Sequence, residues 1–507
     1  MIKKALFTTR AGLRGLASLI ILLLCRQAAL AGGPQGYDNG WAIDYNNNGA
    51  CLLTPTICSK LVAAKAGYIR IGFTLGFGHT NWDSTILGDY DTAVNNARNA
   101  GLEIIGLIPS GAWPGGQSSW NANSYECNGG NGDNSWINNY AQNAVVPIVQ
   151  HFNNRIKIWE IWNEPNACTT CQSCGTQGGT FVYPSIFAQI LAYSYADLEY
   201  AGLKSGNTVL SGGLFGQSIG NVYSYQNAGG QYLDDTYNVG INDTGAFGWA
   251  KSHWNTYPLD AIGQHVYIDQ GGATSSSEFG QYLAWVRQAY TKYEGSGTSK
   301  GTIITEFGWT TASVSQSVQD QNMNTAFGVI EGGSYNYVKH AIWFQFADNC
   351  AAGMYYGVVD CNYNPKTAYN DSIYWQQYEG YRANGTVDNN ILNYYNARGQ
   401  AVLGDAFDNG GSPFVHTWSG NGYSASVQDF AGGSNGNVSG GVNIQDSSQG
   451  TYEINDVHGM CDFYLAHGGI GSFGSPKNDE YSYGSGTRQD FQAHYLTWDP
   501  TNGVVEH

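Results

Sequence analysis

The stretch Lys157-Ile158-Trp159-Glu160-Ile161-Trp162-Asn163-Glu164-Pro165-Asn166 opens as an apolar, aromatic-rich run and closes on an amide, a carboxylate and a proline. A short apolar run bounded by a turn signal reads as a strand buried on both faces. Pro165 stops sheet pairing and turns the chain outward. Glutamate is rarely buried without a partner. Packing alone therefore does not account for Glu164 at the end of such a strand.

Outward from this stretch, short apolar runs alternate with helix-length segments. The pattern predicts strands at 41–45, 68–73, 103–109, 156–162, 208–212, 261–267, 302–307 and 341–346. Helices are expected at 89–100, 135–152, 184–201, 279–293 and 318–331. Eight strands with helical crossovers fit an α/β chain closed into a (β/α)8 TIM barrel. An open doubly wound sheet is the rival, but no Gly-rich phosphate loop follows the first strand. Two long segments, 110–134, rich in Gly, Asn and Ser, and the Cys-rich 166–183, follow strands three and four, on the face where barrels build their sites.

A second strand answers the first. Thr302-Ile303-Ile304-Thr305-Glu306-Phe307-Gly308-Trp309 also ends on a glutamate, at strand seven. In a closed barrel, strands four and seven open onto one mouth, so Glu164 and Glu306 can converge there. His265-Val266-Tyr267 ends strand six, and residues two apart on a strand face the same side. Arg70 on strand two and Glu160 on strand four belong to the same interior layers. They are expected to pair inside the barrel, or to orient Glu164 or Glu306, because an unpaired buried Glu160 would be costly.

The N-terminus reads as a signal peptide over 1–31. Lys3, Lys4, Arg10 and Arg14 precede the apolar run from Leu16 to Cys25, and Ala29-Leu30-Ala31 forms a small-residue cleavage site. The run is short for a membrane span. A secreted or periplasmic protein is expected, with no membrane partner after cleavage. A net charge of −17 argues against nucleic acid or anionic membrane as partner. With export, Cys51 and Cys58, and likewise Cys350 and Cys361, are plausible local disulfides. Cys127 with Cys168, Cys171 and Cys174 would supply two more, leaving Cys461 over. No metal or organic cofactor is expected.

After Gly404 the chain turns to Gly, Ser, Asn and aromatics with little helical periodicity. The expected domains are a barrel over 32–404 and a smaller, β-rich C-terminal domain over 405–507.

Trp-Glu-Ile-Trp-Asn-Glu-Pro-Asn followed by Ile-Thr-Glu-Phe-Gly-Trp resembles the retaining glycosidases of glycoside hydrolase clan A. The strand-four wording is most similar to the β-xylosidase and α-L-iduronidase branch. The resemblance spans roughly residues 37 to 375 as scattered strand-end motifs. It implies a secreted hydrolase of O-glycosidic bonds in an oligo- or polysaccharide, working by double displacement. Glu164 would be the acid/base, its pKa raised by an ionised Glu306, and Glu306 the nucleophile. Asn163 would hold the sugar 2-hydroxyl, Tyr267 would hydrogen-bond Glu306, His265 would line the cleft and Trp343 would be the sugar-stacking platform. A transglycosylase would use the same residues. A glycan- or cell-wall-binding protein with an inactive barrel is the non-enzymatic alternative, opposed by the presence of both glutamates and Asn163. In the tail, the residues from Gly471 to Glu480, then Arg488-Gln489-Asp490-Phe491 and Leu496-Thr497-Trp498, resemble the LGFP repeat of bacterial extracellular proteins. That resemblance implies cell wall or extracellular polysaccharide as a partner of the C-terminal domain.

Overall fold

The computed structural model describes residues 35–44, 50–76, 78–125, 134–167, 180–218, 222–331, 334–377, 388–398, 400–403, 415–430 and 442–507. The expected signal peptide, Cys127, Cys168, Cys171 and Cys174 lie outside these residues. One compact unit is Gly32–Gln377, and the other contains Tyr378–His507.

The first unit is a closed barrel of eight strands: Gly36–Trp41 (β1), Tyr68–Gly72 (β2), Glu103–Ile108 (β3), Ile158–Asn163 (β4), Thr208–Gln217 (β5), Ile262–Tyr267 (β6), Thr302–Phe307 (β7) and Val338–Phe344 (β8). Every neighbouring pair is parallel, and β8 closes on β1 with Gly36 opposite Ile342. The crossover helices include Ser84–Asn99, Pro184–Tyr200, Ser276–Glu294 and Gln316–Glu331. Within the barrel, Ile105, Leu210, Ala261, Ile303 and Ile342 form an apolar cluster with Tyr68 and Ile158 at the strand starts. Two residues along β2 and β4 from that floor stand Arg70 and Glu160.

The first strand begins five residues before its expected position. Gln35, just ahead of it, is buried; its amide donates to Glu331 Oε1 at 2.5 Å and its carbonyl accepts from Ala341 N at 2.9 Å. Gly36 permits the close approach to β2, since a Cβ there would lie 2.3 Å from Tyr68 O. Residues 43–44, expected inside the strand, pair instead with 50–51 in a short antiparallel ladder.

Cys350 and Cys361 are bonded. Cys51 and Cys58 remain thiols, against expectation. Cys51 Sγ is turned to Leu53 O at 3.3 Å, and burial, with Cys51 nearby, pushes the Cys58 thiol up to about 11.

The second unit is β-rich and antiparallel. His416–Gly420 (β9), Tyr423–Phe430 (β10), Val442–Ser447 (β11) and Gly450–Asn455 (β12) form one sheet. Tyr481–Tyr483 (β13), Gly486–Asp490 (β14), Tyr495–Asp499 (β15) and Gly503–Glu506 (β16) form another. The helix Asn389–Arg398, expected within the barrel domain, belongs here: Ile391 and Tyr395 pack with Phe430 and Ile444. The units therefore divide after Gln377 rather than at 404. Among the described residues no helix is long and apolar enough to cross a membrane.

Candidate active site

Strict alternation along β4 would put Glu160, Trp162 and Glu164 on one face. The backbone breaks that pattern. Trp162 has φ +79° and Glu164 has φ +46°, a conformation costly for side chains of this size. Trp159, Ile161 and Trp162 all join the outer core, while Glu160 and Asn163 point into the barrel. Trp162 is held outside by rings of Trp120, Trp136 and Tyr140, and its Nε1 donates to Thr180 O at 2.6 Å. The next turn is clamped to β5, where Asn166 exchanges two hydrogen bonds with the Phe215 backbone at 2.7 and 2.8 Å.

β7 breaks alternation differently. Its register against β6 slips between the pairs Gln264–Ile304 and His265–Glu306, so one extra residue is accommodated at Thr305. Thr305 and Glu306 both reach inward: Thr305 Oγ1 donates to Glu160 Oε1 at 2.8 Å, and Glu306 meets Arg70 and Tyr267. Bulges commonly re-aim a side chain in this way. Both strand-end glutamates thus owe their direction to local departures from period two.

Arg70 organises the layer beneath them. Nε donates to Glu160 Oε2 at 2.7 Å, and Nη2 to Asn163 Oδ1 at 2.7 Å. Nη1 donates to Asp38 Oδ2 at 2.8 Å and to Glu306 Oε1. Burial works against the guanidinium's charge, but Glu160, Glu306 and Asp38 outweigh it and keep it protonated. The expected Arg70–Glu160 pair is present, and Arg70 also orients Glu306. Glu160 Oε1 additionally accepts from Gly213 N at 2.8 Å.

His265 is fully buried and bridges the glutamates rather than merely lining a cleft. Its Nδ1 lies 2.9 Å from Glu164 Oε1, and its Nε2 lies 3.6 Å from Glu306 Oε1. Burial lowers its pKa, but Glu306 and the bond to Glu164 win, and the net direction is up. Tyr267 donates to Glu306 Oε2 at 2.6 Å. Burial alone would raise the Glu306 pKa; His265, Arg70 and the Tyr267 bond carry it below the usual carboxylate value. Burial and Glu306 together hold the Tyr267 phenol protonated, well above its ordinary range.

Glu164, Glu306, Asn163, His265, Tyr267, Arg70 and Glu160 come together as the sequence suggests; Trp343 does not. Ile342 belongs to the barrel floor, so Trp343 points outward. It is fully buried against Phe307 and Trp309, with Nε1 donating to Tyr356 O at 3.1 Å. Phe344 takes the inward position, 6.1 Å from the Tyr267 ring and 5.3 Å from that of Tyr356. Asp38, Thr305, Gly213, Phe344 and Tyr356 are site residues that sequence reading missed. Asp38 had a signal: a guanidinium has five donors, more than Glu160 alone could use.

One ligand atom each from Glu164, His265 and Glu306 lies within 4.8 Å of the others, a spacing a metal ion could use. A cation there would sit beside the Arg70 guanidinium and compete with it for Glu306. The donor set fits acid–base chemistry better than metal binding.

No family model and no curated protein match this chain in sequence. Among solved structures it is similar to a family 39 glycoside hydrolase from the gut symbiont Bacteroides cellulosilyticus WH2, at 12% identity over 82% of this chain and 70% of that one, TM-score 0.44. It is also similar to an endo-β-1,4-glucanase from Xanthomonas axonopodis pv. citri, at 16% identity over 68% and 98%, TM-score 0.44. A third is the family 1 β-glucosidase from Thermotoga maritima, at 11% identity over 64% and 84%, TM-score 0.42.

Proposed function

We propose that this chain is a secreted retaining glycoside hydrolase that cleaves O-glycosidic bonds of an oligo- or polysaccharide. The observation that carries the reading is the carboxyl pair. Oxygens of Glu164 and Glu306 lie within 4.8 Å of each other. Retaining glycosidases keep their carboxyls about 5 Å apart, whereas inversion needs a wider gap for water.

Glu306, held ionised, attacks the anomeric carbon as Glu164 passes its proton to the departing glycosidic oxygen. The carbon–oxygen bond to the leaving group breaks as the ester to Glu306 forms. Glu164, now a carboxylate, takes a proton from water, which attacks the same carbon and frees Glu306. Asn163, its Oδ1 fixed by Arg70, turns its Nδ2 donor toward the sugar. Three carboxylates, Asp38, Glu160 and Glu306, face the single Arg70 guanidinium, with His265 beside them. The residual negative charge suits an oxocarbenium-like centre.

The test is hydrolysis of a glycan panel by wild type, Glu164→Gln and Glu306→Gln, with a 2-deoxy-2-fluoro glycoside to trap the ester. Cleavage by wild type, a loss of about 10²-fold or more in each variant, and a trapped adduct on Glu306 are expected. Binding without cleavage, or a fully active Glu306→Gln variant, overturns the reading.

For the C-terminal unit the proposed partner is an extracellular polysaccharide. Tyr481 and Tyr483 are exposed on β13, with Arg488 over the Tyr483 ring. Unchanged polymer pull-down by a Tyr481→Ala, Tyr483→Ala variant would remove this role.

A further inference from the structure

The residue that sequence reading passed over most completely is Asp38. It stands on β1 directly opposite Arg70 on β2, and it is buried. Its carboxylate accepts from Arg70 Nη1, the same nitrogen that donates to Glu306. A guanidinium Nη carries two hydrogens, so each carboxylate takes one. The two accepting oxygens are therefore no more than two hydrogen-bond lengths apart.

We propose that Asp38 is a positioning residue for the Glu306 carboxylate: by claiming one hydrogen of Arg70 Nη1, it leaves Glu306 a smaller share of the guanidinium charge than Glu306 would otherwise take. This rests on the glycosidase reading above, in which Glu306 is the nucleophile. A carboxylate that takes more of a guanidinium's charge is a more stable anion and a poorer nucleophile. A second carboxylate at this range raises the energy of the first, since like charges disfavour one another's ionised form. Glu306 stays ionised because other groups oppose that push. It faces Arg70 from β2, Asp38 from β1, Glu160 and Glu164 from β4, His265 and Tyr267 from β6, and Tyr356 from the segment after β8.

The sign of the effect separates this role from a merely structural one. If Asp38 only steadied Arg70, its loss would loosen the Arg70–Glu306 contact and raise the Glu306 pKa. If Asp38 shares the charge, its loss leaves the guanidinium to Glu160 and Glu306, Glu306 takes a larger share, and the pKa falls.

The experiment follows the Glu306 carboxyl carbon by NMR titration in protein labelled with 13C-glutamate, the signal assigned with Glu306→Gln. It also follows the acid limb of kcat/KM. In Asp38→Asn and Asp38→Ser, both readouts should move down by about one pH unit. The rate of ester formation should fall in the same variants. Asp38→Glu, which keeps the charge, should hold the wild-type values. An unchanged or raised Glu306 pKa in the neutral variants overturns the proposal. So does failure of both neutral variants to fold while Asp38→Glu folds, because Asp38 would then be structural only. If wild type cleaves no glycan, the glycosidase reading fails, while the NMR titration still decides whether Asp38 shares the charge.

Discussion

Tyr267 on β6 and Glu306 on the adjacent β7 are joined by a 2.6 Å hydrogen bond in which the phenol donates to Oε2. The bond favours the ionised carboxylate. Tyr267→Phe removes it and leaves the ring. The folded pKa of Glu306 should then rise, and the acid limb of kcat/KM should move up by about one pH unit. Losing a charged hydrogen bond of about 1.5–3 kcal/mol predicts a fall in kcat of roughly tenfold to a hundredfold. Stability follows the same sign. A depressed carboxylate stabilises the fold above its ordinary value of 4.5 and loses that contribution as pH falls through its lower folded value. In Tyr267→Phe that contribution shrinks, so urea midpoints measured from about pH 3 to 6 should depend less on pH. An acid limb that stays in place would show that Tyr267 does not tune Glu306.

Trp343 and Phe344 are neighbours on β8 with opposite fates. Trp343→Phe should cost about 1–3 kcal/mol of stability through lost volume and the lost bond to Tyr356 O. Its KM should remain close to wild type. Phe344→Ala should do the reverse, with little change in melting temperature and a fall of about tenfold in kcat/KM for sugar substrates. Paired thermal melts and kinetics decide this. A KM effect confined to Trp343 would return the stacking role to it.

Buried parallel strands leave a plain signature in sequence, and most of the barrel was legible for that reason. Thr302–Phe307 needed no adjustment, because a short β-branched run buried on both faces has the bounds its sequence shows. His265 and Tyr267 were placed together by strand periodicity alone, since β6 keeps its alternation through them. Periodicity is silent wherever the backbone departs from it. Nothing in the wording of β4 announces φ +79° at Trp162, and nothing in β7 announces a slip at Thr305, because both depend on what the neighbouring strands and rings demand. β1 was misplaced because Gln35 and Asp38 look like solvent-facing residues; each is buried and partnered from distant strands. Asp38 was lost with that strand.

Glu160 accepts at both oxygens: Oε2 from Arg70, and Oε1 from Gly213 N and Thr305 Oγ1. An amide there must turn its NH2 toward a donor on one side or the other. Glu160→Gln should therefore cost about 3–5 kcal/mol, the range for breaking a buried ion pair. It should also lower activity through a misplaced Arg70. Chemical denaturation checks the first expectation. A variant as stable as wild type would mean that Asp38, Glu306 and Asn163 satisfy Arg70 without Glu160.

Gly213 is where the site meets the barrel wall. A Cβ on this residue would lie 2.1 Å from His265 Nε2 and 2.8 Å from Thr305 Oγ1. His265 cannot give way without losing a partner, because it is fully buried and its other nitrogen is bonded to Glu164. Gly213→Ala should push the imidazole off Glu164 and away from Glu306, at a cost of about 1–3 kcal/mol for overpacking. The displaced imidazole would withdraw the largest influence pulling the Glu306 pKa down, so the acid limb of kcat/KM should rise while Arg70 stays in place. His265→Ala in the Gly213→Ala background makes room for the methyl and should recover stability without recovering activity. If the double variant is no more stable than Gly213→Ala alone, the clash that matters is with Thr305, not with His265.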